Sequence, residues 1–310
     1  MMLDLRRLRL LRELHERGTI AAVGEALQFT PSAVSQQLAV LEREAGVPLL
    51  ERVGRGVRLT DAGLVLVEHA DALLDRAAAA EADLAAASGE VAGRGRIATF
   101  QSAALRIVLP TMESLARTAP RLRCELVEDE PEHSLPALAL GDYDLVLGDE
   151  WQHHPRALPR GVERHDLLRD PVRIVLPVRH ALARRYDDAV PLAELADAYW
   201  AAGHEEMGWD EMTRRTCREH GGFDPDIRHR TNDAILTLAL VARGLTVALL
   251  PGLVLPERHP GVTVRAIAGA TVEREIFAAT RSVDAARPST AALLAAVREH
   301  ATSASSGLAR

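Results

Sequence analysis

Seven residues between positions 30 and 37 have side chains that suit contacts with the edges of nucleic-acid bases. Glutamine pairs bidentately with adenine, and serine and threonine hydrogen-bond to several bases. Short polar side chains have little reason to gather on one helix unless a polar partner comes close. The sequence therefore predicts that this stretch enters the major groove of double-stranded DNA. The predicted contacts are Thr30, Pro31, Ser32, Ala33, Ser35, Gln36 and Gln37.

The residues around this cluster predict the helix that must present it. Thr30 is a good N-cap, Pro31 a good first helical residue, and Gly46 is typical of a helix end. Apolar residues at i, i+4 and i+7 form a buried face, and they are Val34, Leu38 and Leu41. A shorter helix over 20–27 precedes a tight turn, which completes a helix-turn-helix pattern. The alternative is a structural three-helix domain with a solvated polar face.

A short basic hairpin follows over residues 49–59, with Gly54 and Gly56 at its turn. Its arginines are placed to grip phosphates beside the groove, and they are Arg52, Arg55 and Arg58. Residues 1–60 hold nine arginines against seven acids, a net charge of +2, and the remainder of the chain carries −9. This asymmetry fits DNA binding confined to one end of an acidic protein.

The segment FTPSAVSQQLAVLEREAGVPLLERVGRGVRLTDAG, residues 29–63, resembles the LysR-type transcriptional regulators. The similar features are the AVSQQL core, the Leu41-Glu42 pair, the GVPLLER segment and the LT-x-AG ending. Leu50 departs from the pattern, since many members have Phe there, and we expect this to affect packing only. The resemblance implies a winged helix-turn-helix, a dimerising linker helix and a two-lobed effector-binding domain.

The stretch 61–88 predicts one long alanine-rich helix of roughly 40 Å, at 1.5 Å per residue. Its apolar residues approximate a heptad repeat, and the stripe is too narrow to be buried within one molecule. Pairing with a second copy is therefore expected. The resemblance implies an antiparallel homodimer, which we expect to assemble into a homotetramer. A glycine-rich hinge is expected over 89–95.

From residue 96 onward, strands and helices alternate, which predicts an α/β fold with parallel strands. The first strands are expected at 97–100, 122–127 and 144–147, followed by a second run that opens at 173–176. The resemblance implies two Rossmann-like lobes, similar to type II periplasmic binding proteins. The predicted division is a winged helix-turn-helix over 1–60, the linker helix and hinge, an effector domain over 96–304 and a tail over 305–310. Lobe I would comprise 96–165 and 268–304, and lobe II 166–267.

Open α/β lobes bind ligands at the carboxyl ends of their strands, beside helix N-termini. A small-molecule effector is therefore expected at four corners, which carry Thr99, Phe100, Gln101, Ser102, Asp149, His204, Glu205, Thr231 and Asn232. Ser102 would suit a carboxylate, whereas Asp149, Glu205 and Glu206 would suit a cationic or hydroxylated ligand. The charge of the ligand stays open, and each polar residue could instead simply cap a helix.

Other features of the sequence argue against an enzyme, a metal-binding protein and a membrane protein. No nucleophile elbow, phosphate-binding loop or H-E-x-x-H motif is present, so we predict no catalytic residue, no cofactor and no enzyme activity. The histidines at 153, 154 and 165 are too loosely spaced to predict a metal site. Cys124 and Cys217 form no disulfide framework. The apolar stretch 234–255 contains Arg243 and is read as a buried helix and strand, not a membrane span.

The N-terminus lacks the apolar core of a signal peptide, which favours a cytoplasmic location. The alternative function is a two-lobed solute-binding protein without regulatory DNA binding. Both the missing signal peptide and the N-terminal helix-turn-helix argue against it.

Overall fold

The computed structural model describes residues 3–54, 56–151, 155–205, 208–255 and 260–308. The chain forms two compact units. The N-terminal unit comprises Met1–Glu90 with Val283–Pro288, and the C-terminal unit comprises Val91–Ser282 with Ser289–Arg310. Four residues named in the sequence analysis lie outside the described ranges, and these are Arg55, His153, His154 and Glu206.

The described residues of the N-terminal unit form four helices and a two-stranded hairpin. Its elements are α1 Leu5–Arg17, α2 Ile20–Leu27, α3 Pro31–Ala45, β1 Leu50–Val53, β2 Gly56–Leu59 and α4 Asp61–Ser88. Thr30 caps α3, since its hydroxyl accepts from the Ala33 amide at 3.2 Å. Gly46 ends α3 in the left-handed conformation, with a φ of 73°. The predicted helix-turn-helix, hairpin and long helix are thus confirmed.

The core of this unit is formed by leucines and valines of all four helices. The predicted inner face of α3 is confirmed, because Val34, Leu38 and Leu41 are all buried. Glu42, on the same helix, holds the hairpin in place: its Oε1 accepts from the amides of Leu49 at 2.9 Å and Leu50 at 3.0 Å. Such a carboxylate bond to backbone amides is stronger than a neutral one. It links α3 rigidly to the start of β1.

The C-terminal unit is a mixed sheet in two lobes with helices on both faces. Lobe I contains β3 Gly93–Thr99, α5 Gln101–Ala103, a π-helical turn Ala104–Val108, α6 Leu109–Thr118, β4 Leu122–Glu128, α7 Pro131–Leu140 and β5 Leu145–Trp151. Strands β4, β3 and β5 are parallel neighbours. This order confirms the predicted alternation of strands and helices with parallel strands. Apolar clusters cover both faces of the sheet, as expected for a parallel sheet.

Lobe II follows a long strand that runs from one lobe into the other. Its elements are β6 Val162–Pro177, α8 Ala181–Arg185, β7 Ala189–Val190, a 3-10 turn Leu192–Leu195, β8 Tyr199–Ala202, α9 Gly208–Gly221, β9 Asp226–Arg230, α10 Ala234–Ala242, β10 Val247–Pro251, a 3-10 turn Gly252–Val254 and β11 Val262–Ile267. The chain then returns to lobe I through β12 Glu273–Arg281, a 3-10 turn Ser282–Asp284 and α11 Pro288–Leu308. Strand β12 pairs antiparallel with both β5 and β6.

The predicted ends of several strands were wrong. Each of these strands is longer than predicted, because it pairs with a strand that is distant in the sequence. Strand β3 begins at Gly93, inside the predicted hinge, because residues 93–96 pair with β4. Strand β5 does not end at residue 147 but continues through Gly148 to Trp151, because β12 pairs with residues 146–151. Strand β6 begins eleven residues before the predicted 173, for the same reason.

The predicted tail over 305–310 is also corrected. Helix α11 continues through Leu308 rather than fraying. The side chains of Ala304 and Leu308 pack against the apolar cluster of lobe I, which gives the last turns a buried face. Packing of this kind, rather than intrinsic propensity, stabilises most helices in proteins.

The apolar stretch 234–255 forms helix α10 and strand β10, as predicted. Strand β10 is buried throughout, and Arg243 ends the helix that precedes it. Among the described residues, no helix is long and apolar enough to cross a membrane.

Candidate functional sites

The predicted DNA-contacting residues of α3 lie at its N-terminal end, and all except the half-buried Ala33 are exposed. Three hydroxyls are already engaged locally. The hydroxyls of Thr30 and Ser32 lie 3.1 Å apart, and the Ser35 hydroxyl donates to the Pro31 carbonyl at 3.0 Å. A hydroxyl that donates locally still offers lone pairs, so these residues remain able to accept from a base or a phosphate.

The two glutamines of α3 differ in their surroundings. The Gln37 carbonyl oxygen accepts from Nε of Arg7 at 3.1 Å, and the same arginine pairs with Glu44 at 2.6 Å. Gln36 is exposed and its side chain makes no hydrogen bond with the described residues. Its amide therefore keeps a free donor and a free acceptor, the pair that adenine recognition requires. Gln36 is the better candidate for base recognition.

The hairpin presents its arginines unequally. Arg52 is exposed and forms no ion pair within the described ranges. Arg58 donates to Glu51 through Nε at 2.9 Å and Nη2 at 2.5 Å, across the register of β1 and β2. Its charge is thus partly neutralised. Arg52 is the stronger candidate for a phosphate contact.

A second basic surface of this unit was missed by the sequence analysis. The N-terminal part of α1 and the start of α3 border a cavity of about 620 Å³. Arg6, Arg7 and Arg9 line it, together with Phe29, which is 56% exposed in the turn before α3. The signal was present in the sequence, because these arginines alternate with the buried leucines of α1.

In the C-terminal unit, a cleft of about 380 Å³ lies between the two lobes. Five of the nine predicted effector contacts line it, and these are Phe100, Gln101, Ser102, Asp149 and Asn232. We call this site the interlobe cleft. The corner after β3 and the start of α10 therefore converge, as the rule for strand ends predicts.

The other four predicted contacts lie outside this lining. Thr99 is fully buried in β3, and Thr231 accepts from the Asp233 amide at 3.0 Å in the turn before α10. His204 uses its backbone amide to reach Asn232 at 3.2 Å. Glu205 pairs with Arg230 at 3.2 Å. Each therefore has a local structural contact rather than a place in the cleft wall.

The floor of the cleft is organised by Arg274 of β12, which is only 4% exposed. Its guanidinium donates to Asp170 at 2.8 and 2.9 Å and to Asp149 at 3.1 Å. It also donates to the Ser102 hydroxyl at 2.7 Å. The same guanidinium lies 4.9 Å from the centre of the Phe100 ring, within the range of a cation–π contact. One arginine therefore joins β5, β6, β12 and the start of α5.

The rim of the cleft is acidic. Glu130 lies half-buried at the start of α7, and burial together with the negative charges of Asp149 and Glu132 raises its pKa to about 7. Burial likewise raises the pKa of Asp149, which Arg274 and Arg156 oppose. Arg156 pairs with Glu132 at 3.1 Å.

Arg274 and Glu130 were not predicted as site residues, although each left a signal in the sequence. Arg274 occupies an inward position of β12, since it has the same parity as the buried Ile276 and Ala278. A charge on the buried face of a strand needs a partner. Glu130 follows β4, whose carboxyl end is a fifth corner of the kind already considered. Within the described ranges, no group of histidine, cysteine and acidic side chains has the arrangement of a metal site.

The fold and the two sites define a class of protein in which a helix-turn-helix unit is joined to a two-lobed ligand-binding unit. Residues 5–64 match the family described as "Bacterial regulatory helix-turn-helix protein, lysR family". Residues 88–302 match the "LysR substrate binding domain". The chain belongs to the LysR family of transcriptional regulators, which confirms the resemblance and the predicted fold class.

Individual relatives agree with this assignment. The chain is 31% identical to the transcriptional regulator ShiR of Corynebacterium glutamicum over 241 residues, which cover 74% of this chain and 79% of the relative. It is 26% identical to MetR of Escherichia coli over 302 residues, covering 97% and 91%. These relatives are named as regulators, so this chain is a transcriptional regulator rather than an enzyme.

Solved structures share the fold. A full-length OxyR variant from Pseudomonas aeruginosa superposes with a TM-score of 0.70 at 20% identity, covering 96% of this chain and 95% of that one. Full-length CbnR in complex with its target DNA gives a TM-score of 0.54 at 23% identity, covering 96% and 100%.

Proposed function

We propose that this regulator binds double-stranded DNA through the N-terminal end of α3 and through β1–β2, and that a small molecule in the interlobe cleft controls the binding. The observation that carries the proposal is the free amide of Gln36, exposed on α3 beside Ser32. Arg52 on the hairpin supplies a free charge for the phosphates that flank a groove. We place the protein in the cytoplasm, where a transcriptional regulator of this family would meet its DNA.

We assign a separate function to each consecutive segment of the chain. Residues 1–60 bind DNA, the helix 61–88 and the residues that follow it up to the start of β3 at Gly93 connect, and residues 96–304 bind the effector. Lobe I (96–165 and 268–304) and lobe II (166–267) close on the ligand. A ligand that binds the closed lobes more tightly than the open ones shifts the population between them, and this shift is the regulatory signal.

The protein works as a homodimer, and two dimers assemble into a homotetramer. Support comes from α4, which exposes large apolar side chains along its length, and these are Leu64, Val65, Leu73 and Leu84. Leu84 is 74% exposed. Exposed large apolar side chains on a long helix are typical of a helix that pairs with a second copy.

The test begins with selection of preferred duplexes from a random pool by the purified protein, followed by binding titrations over a range of salt. Gln36→Ala should lower the preference at one base position by about 1–3 kcal/mol, with little effect on binding to random DNA. Arg52→Ala should instead weaken binding to all duplexes and reduce the salt slope by about one. Arg123→Ala, an exposed arginine of β4, is the matched control and should change neither quantity.

The proposal fails if the full-length protein prefers no duplex over random competitor at any ionic strength. The assignment of Gln36 fails separately if its alanine variant selects the same sequences as the unchanged protein.

A further inference from the structure

Among the described residues that line the interlobe cleft, acidic side chains outnumber basic ones. The acids are Glu128, Glu130, Glu132, Asp149 and Asp233. The only cations among the described lining residues are Arg156 and Arg274. The acids therefore outnumber the cations by three, and this imbalance bears on the charge of the ligand.

Both arginines are already neutralised by carboxylates. Arg274 is shared between Asp149 and Asp170, and Asp170 is fully buried beneath it. Arg156 pairs with Glu132 at 3.1 Å and lies 3.7 Å from Asp149. A ligand carboxylate that entered the cleft would have to displace one of these partners. It would also lie against the remaining negative charges, which repel it.

Unlike the two arginines, the carboxylate of Glu130 has no partner of opposite charge among the described residues. It lines the cleft half-buried and forms no ion pair with any described residue. The charged groups that act on it are Asp149, Glu132 and Glu128, which are negative, and Arg274, which is positive. Burial, together with the repulsion from these acids, raises the pKa of Glu130 to about 7. A positive group placed beside this carboxylate would offset both the free-energy cost of burying its charge and the repulsion from the neighbouring acids.

The other two unpaired acids are less suited to this role. Asp233 already accepts from the amides of Ile235 at 2.8 Å and Leu236 at 3.2 Å, as the cap of α10. Glu128 is exposed at the end of β4. Trp209 also lines the cleft from lobe II, and an aromatic ring attracts a cation at its face.

From this arrangement we infer that the effector of the interlobe cleft carries a protonated amine or guanidine group, and that Glu130 is its counter-ion. The inference rests on the proposed function of the cleft as the effector site, and it adds the chemical class of the ligand. The cation replaces the missing partner of Glu130 without disturbing the pairs that hold Arg156 and Arg274.

The test uses thermal unfolding of the full-length protein followed by tryptophan fluorescence. Putrescine and agmatine serve as the cationic probes, and succinate and glutarate serve as the anionic probes. The cationic probes should raise the melting temperature in a concentration-dependent manner, and the anionic probes should not. Glu130→Gln should weaken the apparent affinity for the cations roughly tenfold, because one charge-assisted contact is lost. Glu113→Gln, an exposed acid of α6 outside the cleft, is the matched control and should bind them unchanged.

The pH dependence gives a second readout that a purely structural role for Glu130 would not produce. Affinity for the cations should rise between pH 6 and pH 8, as Glu130 loses its proton near pH 7. In Glu130→Gln this rise should disappear, whereas in Glu113→Gln it should remain.

The outcomes separate this inference from the proposed function when DNA affinity is measured alongside. Stabilisation by succinate or glutarate alone, with altered DNA affinity, overturns the inference and supports the proposed function. Cation binding that depends on Glu130 but leaves DNA affinity unchanged supports the ligand class and contradicts regulation through the cleft. Equal behaviour of the two glutamine variants, or no shift with any cation, overturns the inference.

Discussion

Replacement of Arg274 by methionine should destabilise the C-terminal unit more than any comparable change of a surface arginine. Methionine keeps the apolar stem but leaves Asp170, which is fully buried, without its two guanidinium bonds at 2.8 and 2.9 Å. Asp149, at 8% exposure, loses its bond as well. Removing one partner of a buried ion pair costs about 3–5 kcal/mol, because the remaining charge has no compensation.

The sign of the pH dependence follows from Asp149. Burial raises its pKa, and Arg274 is the largest influence that opposes the rise. A carboxylate with a raised folded-state pKa destabilises the fold as pH rises through that pKa. Removing Arg274 raises the pKa of Asp149 further, so the stability deficit of the variant should grow as the pH rises above the ordinary range of a carboxyl group.

Urea unfolding followed by tryptophan fluorescence measures this deficit in the relevant unit alone. All three tryptophans of the chain, at positions 151, 200 and 209, belong to the C-terminal unit. Arg173→Met is the matched control, since Arg173 lies on β6 and, among the described residues, its side chain donates only to the Val172 carbonyl, at 3.5 Å. A control of this kind should change stability by no more than about 0.5 kcal/mol. Adding Asp170→Asn to Arg274→Met should recover part of the loss.

The reasoning is refuted if Arg274→Met costs no more than Arg173→Met, or if its deficit is the same at pH 5 and pH 8. Either result would mean that water or a backbone shift solvates the two carboxylates once the guanidinium is gone.

Two further predictions concern packing and thiol chemistry. Gly63→Ala should destabilise the N-terminal unit by about 1–3 kcal/mol, because the new Cβ would lie 2.3 Å from the Leu49 carbonyl oxygen. A thermal melt by circular dichroism measures this, with Gly307→Ala as the control where no atom lies within 4 Å; equal melts would contradict it. Cys217 is fully buried and its pKa is raised to about 12, so iodoacetamide at pH 8.5 should label it only after unfolding. Labelling at the same rate in native and unfolded protein, measured by peptide mass spectrometry, would contradict this.

The N-terminal unit could be predicted nearly residue by residue, because its signals are local. The cap at Thr30, the left-handed Gly46 and the spacing of Val34, Leu38 and Leu41 all act within one helix. Even the Leu41-Glu42 pair has a short-range explanation, since Glu42 bonds to amides only seven and eight residues away. The fate of Gln37 was not predictable in the same way, because its partner, Arg7, lies 30 residues earlier.

The interlobe cleft resisted prediction because its residues are joined by pairing between distant strands. Gly148 follows the predicted strand 144–147, yet it lies within β5, where a Cβ would meet the Phe277 ring at 2.6 Å. The glycine is there to admit that ring, and the pairing of β5 with β12 carries Asp149 to within reach of Arg274. Neither strand predicts this by itself. A charged residue at a buried strand position, such as Arg274, is therefore the most useful sequence signal for a site of this kind, because burial obliges it to have partners.

The pairing of Asp149 with Arg274 also affects how the cleft discriminates between ligands. Asp149 was predicted to contact effector directly, but Arg274 occupies it, so its main effect on a ligand is to neutralise the cation that an anionic ligand would need. The negative charge that can pair with a ligand is instead that of Glu130, at the rim of the cleft. The substitution Asp149→Asn removes the negative charge that pairs with Nη1 of Arg274. It should therefore make part of the guanidinium charge available to a ligand in the cleft. The variant should then bind glutarate, which the unchanged protein should not, and isothermal titration of both proteins with glutarate measures the difference.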